Sequence, residues 1–151
     1  FVEYKKLYEK YFEKYKKYQR RLYSRQFLVE GSIYFVPYYA DEMAIYDIAS
    51  GEMLYVPFVP DEGLFFDAYL KDKKLWAFQG NYPNEIYSFQ VETGKTDRYM
   101  LDWSVIEASI SKRELELHRG IEDVTFGNIY CYEGGAFLVP YKIPFVISFI
   151  Y

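Results

Sequence analysis

The chain has 151 residues, the length of one domain with a single core, and its 51% hydrophobic and 26% charged residues fit a globular protein. Its one cysteine, Cys131, excludes an internal disulfide, so a reducing cytoplasm is the expected compartment. No apolar run approaches the roughly 18 to 20 residues of a membrane span, and the N-terminus lacks the pattern of an intact secretory signal. Aromatic residues make up 23% of the chain, with 19 Tyr, 13 Phe and 2 Trp, which favours half-buried pleated surfaces over helix bundles.

The net charge of −4 is unevenly spread. Residues 1–26 hold nine Lys/Arg against three Glu, and the rest of the chain is acidic. This basic segment has no Gly or Pro, and its apolar residues recur at Tyr4, Leu7, Tyr11, Tyr15, Tyr18 and Leu22. That spacing predicts a helix with a Tyr-rich stripe over residues 1–26, joined to a second region at 27–151. The leading expectation is that the stripe docks on the rest of the protein and leaves the lysines in water. A coiled-coil or partner-docking helix is the next. Nucleic acid or an anionic membrane ranks last, because a Tyr-heavy face is too wet for a membrane anchor.

From residue 27 the period changes to two. The stretch FLVEGSIYFVPYY predicts two strands around Glu30-Gly31, and EMAIYDIASGEMLYVPF predicts two around Ala49-Ser50-Gly51-Glu52. LFFDAYLKDKKLWAFQG predicts a strand, a Lys-Asp-Lys-Lys turn and another strand. NEIYSFQVETGKTDRYML supplies two more around Glu92-Thr93-Gly94-Lys95.

These strands repeat. At an offset of 43, Tyr39 falls on Tyr82, Asp41-Glu42 on Asn84-Glu85, Met43 on Ile86, Tyr46 on Phe89 and Ser50-Gly51 on Thr93-Gly94. Upstream the offset is 42, with Ile33-Tyr34 on Leu75-Trp76 and Val36 on Phe78. Residues 135–149 lie on 32–46 at an offset of 103, sharing Val-Pro-Tyr, so a third copy is present in part. Between the second and third copies falls an insertion near 102–123, in which SKRELELHR reads as a short helix or charged strand.

A unit of about 43 residues with four short antiparallel strands is the length of a propeller blade. Here the chain resembles bacterial β-propeller proteins, with YDIASGE and FQVETGK similar to the hairpin of Kelch-like and quinoprotein-like blades. The resemblance covers 27–151 and implies a mainly β fold of two blades and a partial third. It lacks the Gly-His and Trp-Asp pair of the WD type and the Kelch Tyr and Trp spacing. Closed propellers have about four to eight blades. A piece of a longer propeller, closure by self-association, and an open stack capped by the N-terminal helix are therefore all open.

The chemistry-bearing residues are few. His118 is the only histidine and sits among charges, and Cys131 reads as a buried structural thiol between Tyr130 and Tyr132. No zinc pattern, phosphate loop or nucleophile elbow is present, so no cofactor or metal is expected. Neighbouring acids such as Asp41-Glu42 point to opposite faces of a strand and do not converge on one bond. The expected function is a non-catalytic binding or scaffolding module that engages a protein partner or itself. The alternatives are carbohydrate recognition, with Trp76, Tyr39 or Tyr82 stacking on sugar rings, and a non-catalytic segment of a larger enzyme. The candidate ligand residues are Tyr39, Asp41, Glu42, Trp76, Tyr82, Asn84 and Glu85.

Overall fold

The computed structural model describes residues 22–59, 65–80, 85–102, 104, 108, 126–140 and 146–150. They form eleven strands: β1 (Tyr23–Val29), β2 (Ser32–Pro37), β3 (Glu42–Asp47), β4 (Met53–Pro57), β5 (Phe65–Lys71), β6 (Lys74–Gln79), β7 (Ile86–Gln90), β8 (Thr96–Tyr99), β9 (Phe126–Tyr132), β10 (Gly135–Pro140) and β11 (Ile147–Ile150). They pair antiparallel in chain order into two four-stranded sheets, β1–β4 and β5–β8, and a three-stranded sheet, β9–β11. The sheets meet along their first strands, because β5 lies against both β1 and β9.

All eight strands expected in the first two copies are present, and the repeat is visible in their registers. Tyr34 stands opposite Phe27 and Ile45, Trp76 opposite Tyr69 and Ser88, and Phe137 opposite Tyr130 and Ser148. The first strand of each sheet also carries a register irregularity at its start, at Tyr23/Arg25, at Phe65/Asp67 and across from Val139/Pro140. A bulge bends and twists a strand. It recurs on the strand along which each sheet meets its neighbour.

The helix expected over 1–26 needs one correction. Residues 1–21 lie outside the described residues, but Tyr23–Gln26 belong to β1, paired with Phe35, Val36 and Pro37. Leu22 begins this edge: its carbonyl accepts from the amides of Tyr38 at 2.7 Å, Tyr39 at 3.2 Å and Ala40 at 3.3 Å. Pairing with β2 satisfies backbone groups that the helical spacing alone assigned to a last turn.

The outer hairpins repeat in atomic detail. Gly51 N–H donates to Asp47 C=O at 2.9 Å and Gly94 N–H to Gln90 C=O at 2.8 Å. Ile48 N–H and Val91 N–H each donate at 3.0 Å to the first hairpin of their own sheet, at Gly31 and Lys73. Gly51 and Gly94 have φ of 71° and 69°, the left-handed region that a side chain resists. The Ser50-Gly51 and Thr93-Gly94 pairs therefore recur because one hairpin geometry requires them.

Packing follows from the pleat. In β6, Leu75 and Ala77 face the first sheet, and Trp76 and Phe78 face the third. Tyr87 and Phe89 in β7 join the first group, and Ile86 joins the second. The middle sheet is thus covered on both faces, and its two central strands are buried almost without interruption. Between the first two sheets, Phe58 sits 5.3 Å from Phe65, 5.7 Å from Tyr87 and 6.3 Å from Phe89, and Tyr34 adds a ring 6.2 Å from Phe89. Each such burial stabilises by about 1.5 to 3 kcal/mol. The Arg25–Asp67 pair, at 2.5 and 3.1 Å, also joins these sheets, but Arg25 is more than half exposed and the pair contributes under about 1 kcal/mol. Apolar stacking holds the sheets, and the ion pair aligns β1 with β5.

No helix among the described residues is long and apolar enough to cross a membrane. Replacing Gly94 or Gly51 by Ala is expected to lower stability by about 1 kcal/mol, and Asn, which tolerates the left-handed region, to lower it less. Urea unfolding followed by aromatic fluorescence checks this; an Ala variant as stable as wild type would show that the turn does not need its glycine.

Candidate functional site

Strand direction gathers the β2–β3 and β6–β7 connections at one end of the sheets, opposite the tight hairpins at Glu30-Gly31 and Asp72-Lys73. Most candidate residues lie at this end. Tyr39 is half-buried, packs against the cluster of Leu22 and Ala40, and meets the Tyr38 ring edge-on at 4.7 Å. Tyr38 in turn stands 5.5 Å from Phe66, the ring carried by the β5 bulge. Gly80 lies under that ring, where a Cβ would run into Phe66. Asp41 presents its carbonyl to the amides of Phe58 and Val59, both at 3.2 Å, and Glu42 opens β3 opposite Pro57. Tyr82 and Asn84 lie outside the described residues.

Glu85 is the buried acid of this end. Its carboxylate accepts from the Arg98 guanidinium and, at 2.8 Å, from the Tyr87 hydroxyl. Its backbone exchanges bonds with Gln79, the carbonyl accepting from Gln79 N–H at 3.0 Å and the amide donating to Gln79 Oε1 at 3.2 Å. Burial acts to raise the Glu85 pKa, but the two donors outweigh it and hold the carboxyl below its usual range. Burial, reinforced by the Glu85 charge, pushes Tyr87 up to about 12. A carboxylate held ionised by two donors suits a structural clasp between β7 and β8 more than proton transfer. Arg98, the partner that completes it, was not among the expected residues. Its place beside Glu85 depends on strand pairing.

Trp76 lies apart from this end and is only 7% exposed. Its ring packs with Tyr99 at 5.5 Å and Phe149 at 5.1 Å, and the Lys74 ammonium sits 4.5 Å from its centroid. It is a core ring between the middle and third sheets, not an open stacking platform for a sugar.

The aromatic surface the structure does present is elsewhere. On the outward face of the third sheet, Tyr130 is 61% and Phe137 42% exposed, and Tyr132 stacks on Phe137 at 5.1 Å with an interplanar angle of 21°. Exposed Val146 and Ile150 extend this face along β11. None of these residues stood out as a site in the sequence. The signal was present, because Phe137 occupies the repeat position of Tyr34 and Trp76, and Tyr130 and Tyr132 have the period of a strand face.

Other chemistry is sparse. His118 lies outside the described residues. Cys131 falls in β9 in register with Ala136, as expected of a strand residue. Among the described residues no three His, Cys, Asp or Glu side chains lie close enough to share a metal ion. Asp102, at the start of the insertion, accepts from both the amide and the hydroxyl of Ser104, at 3.1 and 2.5 Å. The chain matches no protein-family model and no curated protein.

The Glu85 clasp has a pH signature. The folded pKa lies below the ordinary value of 4.5, so its stabilisation is complete above that value and is lost as pH falls through the lower folded one. Glu85→Gln is expected to cost about 1 to 2 kcal/mol at neutral pH and much less near pH 3. Melting temperatures of both proteins across this range check it; parallel curves would show that the Glu85 charge contributes nothing.

Proposed function

We propose that this chain is a non-catalytic binding module of the β-propeller kind, whose sheets act as blades and whose third sheet presents a protein-binding face. What supports the blade reading is the shared set of features: antiparallel strands in chain order, a bulged first strand, matching registers, and neighbours joined along those first strands. A Kelch-like or quinoprotein-like origin rests on the two hairpins alone.

The observation that carries the binding reading is one repeat position. Tyr34 in the first sheet is 8% exposed and Trp76 in the second 7%, each under the next sheet, whereas Phe137 in the third is 42% exposed. An aromatic cluster with Val146 and Ile150 beside it has the composition of an interaction surface core, where Tyr and Phe are enriched and charge is depleted. The stacked Tyr132–Phe137 pair is already ordered, so little side-chain entropy remains to be lost on binding. Of the three rings expected to stack on sugars, Trp76 is in the core, Tyr39 is half-buried and Tyr82 lies outside the described residues.

The test is retention of a purified or co-purifying protein on the immobilised chain, comparing wild type with Phe137→Glu. A charge in the centre of the face is expected to weaken binding by about 2 kcal/mol or more, while thermal unfolding changes little. Equal retention by both proteins would remove the third sheet from the function. Enzymatic turnover that follows the chain through purification to homogeneity would overturn the non-catalytic reading.

A further inference from the structure

The third strand of each of the first two sheets is paired on both sides. β3 lies between β2 and β4, and β7 lies between β6 and β8. β11 has their place in the third sheet, since Gly135 stands opposite Ile150 as Ser32 stands opposite Asp47. It pairs with β10 on one side, and among the described residues no strand pairs with the other.

What that edge offers follows from the repeat. Asp47 and Gln90 occupy the position of Ile150, and their amides donate outward, to the carbonyls of Glu52 at 2.9 Å and Lys95 at 2.8 Å just before the fourth strands. In an antiparallel ladder alternate residues turn both backbone groups to the same side. Ser148 and Ile150 therefore present their N–H and C=O groups to the open edge, and Ile147 and Phe149 turn theirs to β10.

The other edges are guarded. β1, β5 and β9 carry register irregularities and lie where the sheets meet. β4 ends at Pro57, and β8 contains Asp97 and Arg98. Bulges, proline and charge are the devices that keep an edge from taking up a strand. β11, with the sequence Ile-Ser-Phe-Ile, has neither charge nor proline and an unbroken register with β10.

We propose that the outer edge of β11 takes up an extended segment of a partner protein as an added antiparallel strand. This rests on the protein-binding reading above and names the kind of partner. In strand addition the main-chain bonds supply affinity and alternate side chains supply selectivity. Here the selectivity is set by the row that the segment extends. Phe27, Tyr34, Ile45 and Leu54 form one cross-strand row in the first sheet. The same row in the third sheet is Tyr130, Phe137 and Ser148, and its fourth place is open. An apolar residue there continues the exposed face of Tyr130, Phe137 and Ile150, whereas a charge would lose water beside it. The partner segment is four or five residues long, as β8 and β4 are, and apolar at alternate positions.

The probe is the synthetic peptide EMLYVP, which has the sequence of residues 52–57, titrated against the chain and followed by amide hydrogen exchange. The amides of Ser148 and Ile150 are expected to exchange freely in the chain alone and about tenfold or more slowly with peptide bound. Leu54 and Val56 stand opposite Ile45 and Met43, so the third and fifth amides of the peptide are those that face the edge. N-methylation of these two should abolish binding, and N-methylation of the second and fourth should leave it intact. Equal binding of both methylated peptides would show apolar adhesion without strand pairing and overturns the proposal. Slow exchange of Ser148 and Ile150 without peptide means that the edge is already held, and slowing with chain concentration alone means that a second copy holds it; either result overturns it too. Ser148→Pro removes one outward amide and no bond to β10, a place where an edge strand tolerates proline. It is expected to weaken peptide binding about tenfold or more with unchanged circular dichroism. Retention of a partner protein that is lost with Phe137→Glu but kept with Ser148→Pro overturns strand addition and leaves the protein-binding reading standing. Retention unchanged by either substitution removes both.

Discussion

The constraint on which this structure depends is that each of its sheets is apolar on both faces. A twisted sheet of three or four short strands can bury one face against a helix or loop, but two apolar faces call for a neighbour on each side. The middle sheet meets this condition, with Leu75, Ala77, Tyr87 and Phe89 on one face and Trp76, Phe78 and Ile86 on the other. Its burial explains why β6 and β7 read as nearly continuous apolar runs rather than as the alternation usual in antiparallel strands. The sheets on either side have one partner each among the described residues, and their outward faces inherit the same composition.

Everything polar is arranged around this stacking. The hairpin end is tied by Lys73, which contacts Glu30 at 2.5 Å and Glu92 at 3.0 Å and so joins turns of two sheets. These groups are exposed and their pairing is screened by solvent, so they orient the turns more than they stabilise them. At the other end Glu85, Arg98 and Tyr87 close the middle sheet with a satisfied buried carboxylate. The described loop residues at that end are bound into the fold through Leu22, Asp41 and Gln79.

The repeat could be read from residues because its outer hairpin is chemically demanding. Gly51 and Gly94 recur at one spacing because both occupy a left-handed turn, and Ser50 and Thr93 recur because each caps that turn through its hydroxyl. The change of offset from 42 to 43 falls between β6 and β7, where seven residues separate Phe78 from Ile86 but six separate the equivalent Val36 from Met43. Sites were harder to place. Trp76 was expected to stack on sugar rings, but whether a ring is covered depends on the next sheet, which no local pattern describes. Phe137 drew no notice for the converse reason: its position is that of a core residue, and it is exposed only because no described sheet follows.

By itself the sequence determined that the chain is built from repeated antiparallel hairpins, since turn conformation and pleat alternation are local requirements written in neighbouring residues. It also determined that every copy carries two apolar faces. Which faces are covered, that Tyr23–Gln26 pair as a strand, and that Arg98 meets Glu85 were decided only by the tertiary structure. Those outcomes depend on contacts between segments far apart in the chain, and the free energy of such a contact belongs to both partners at once.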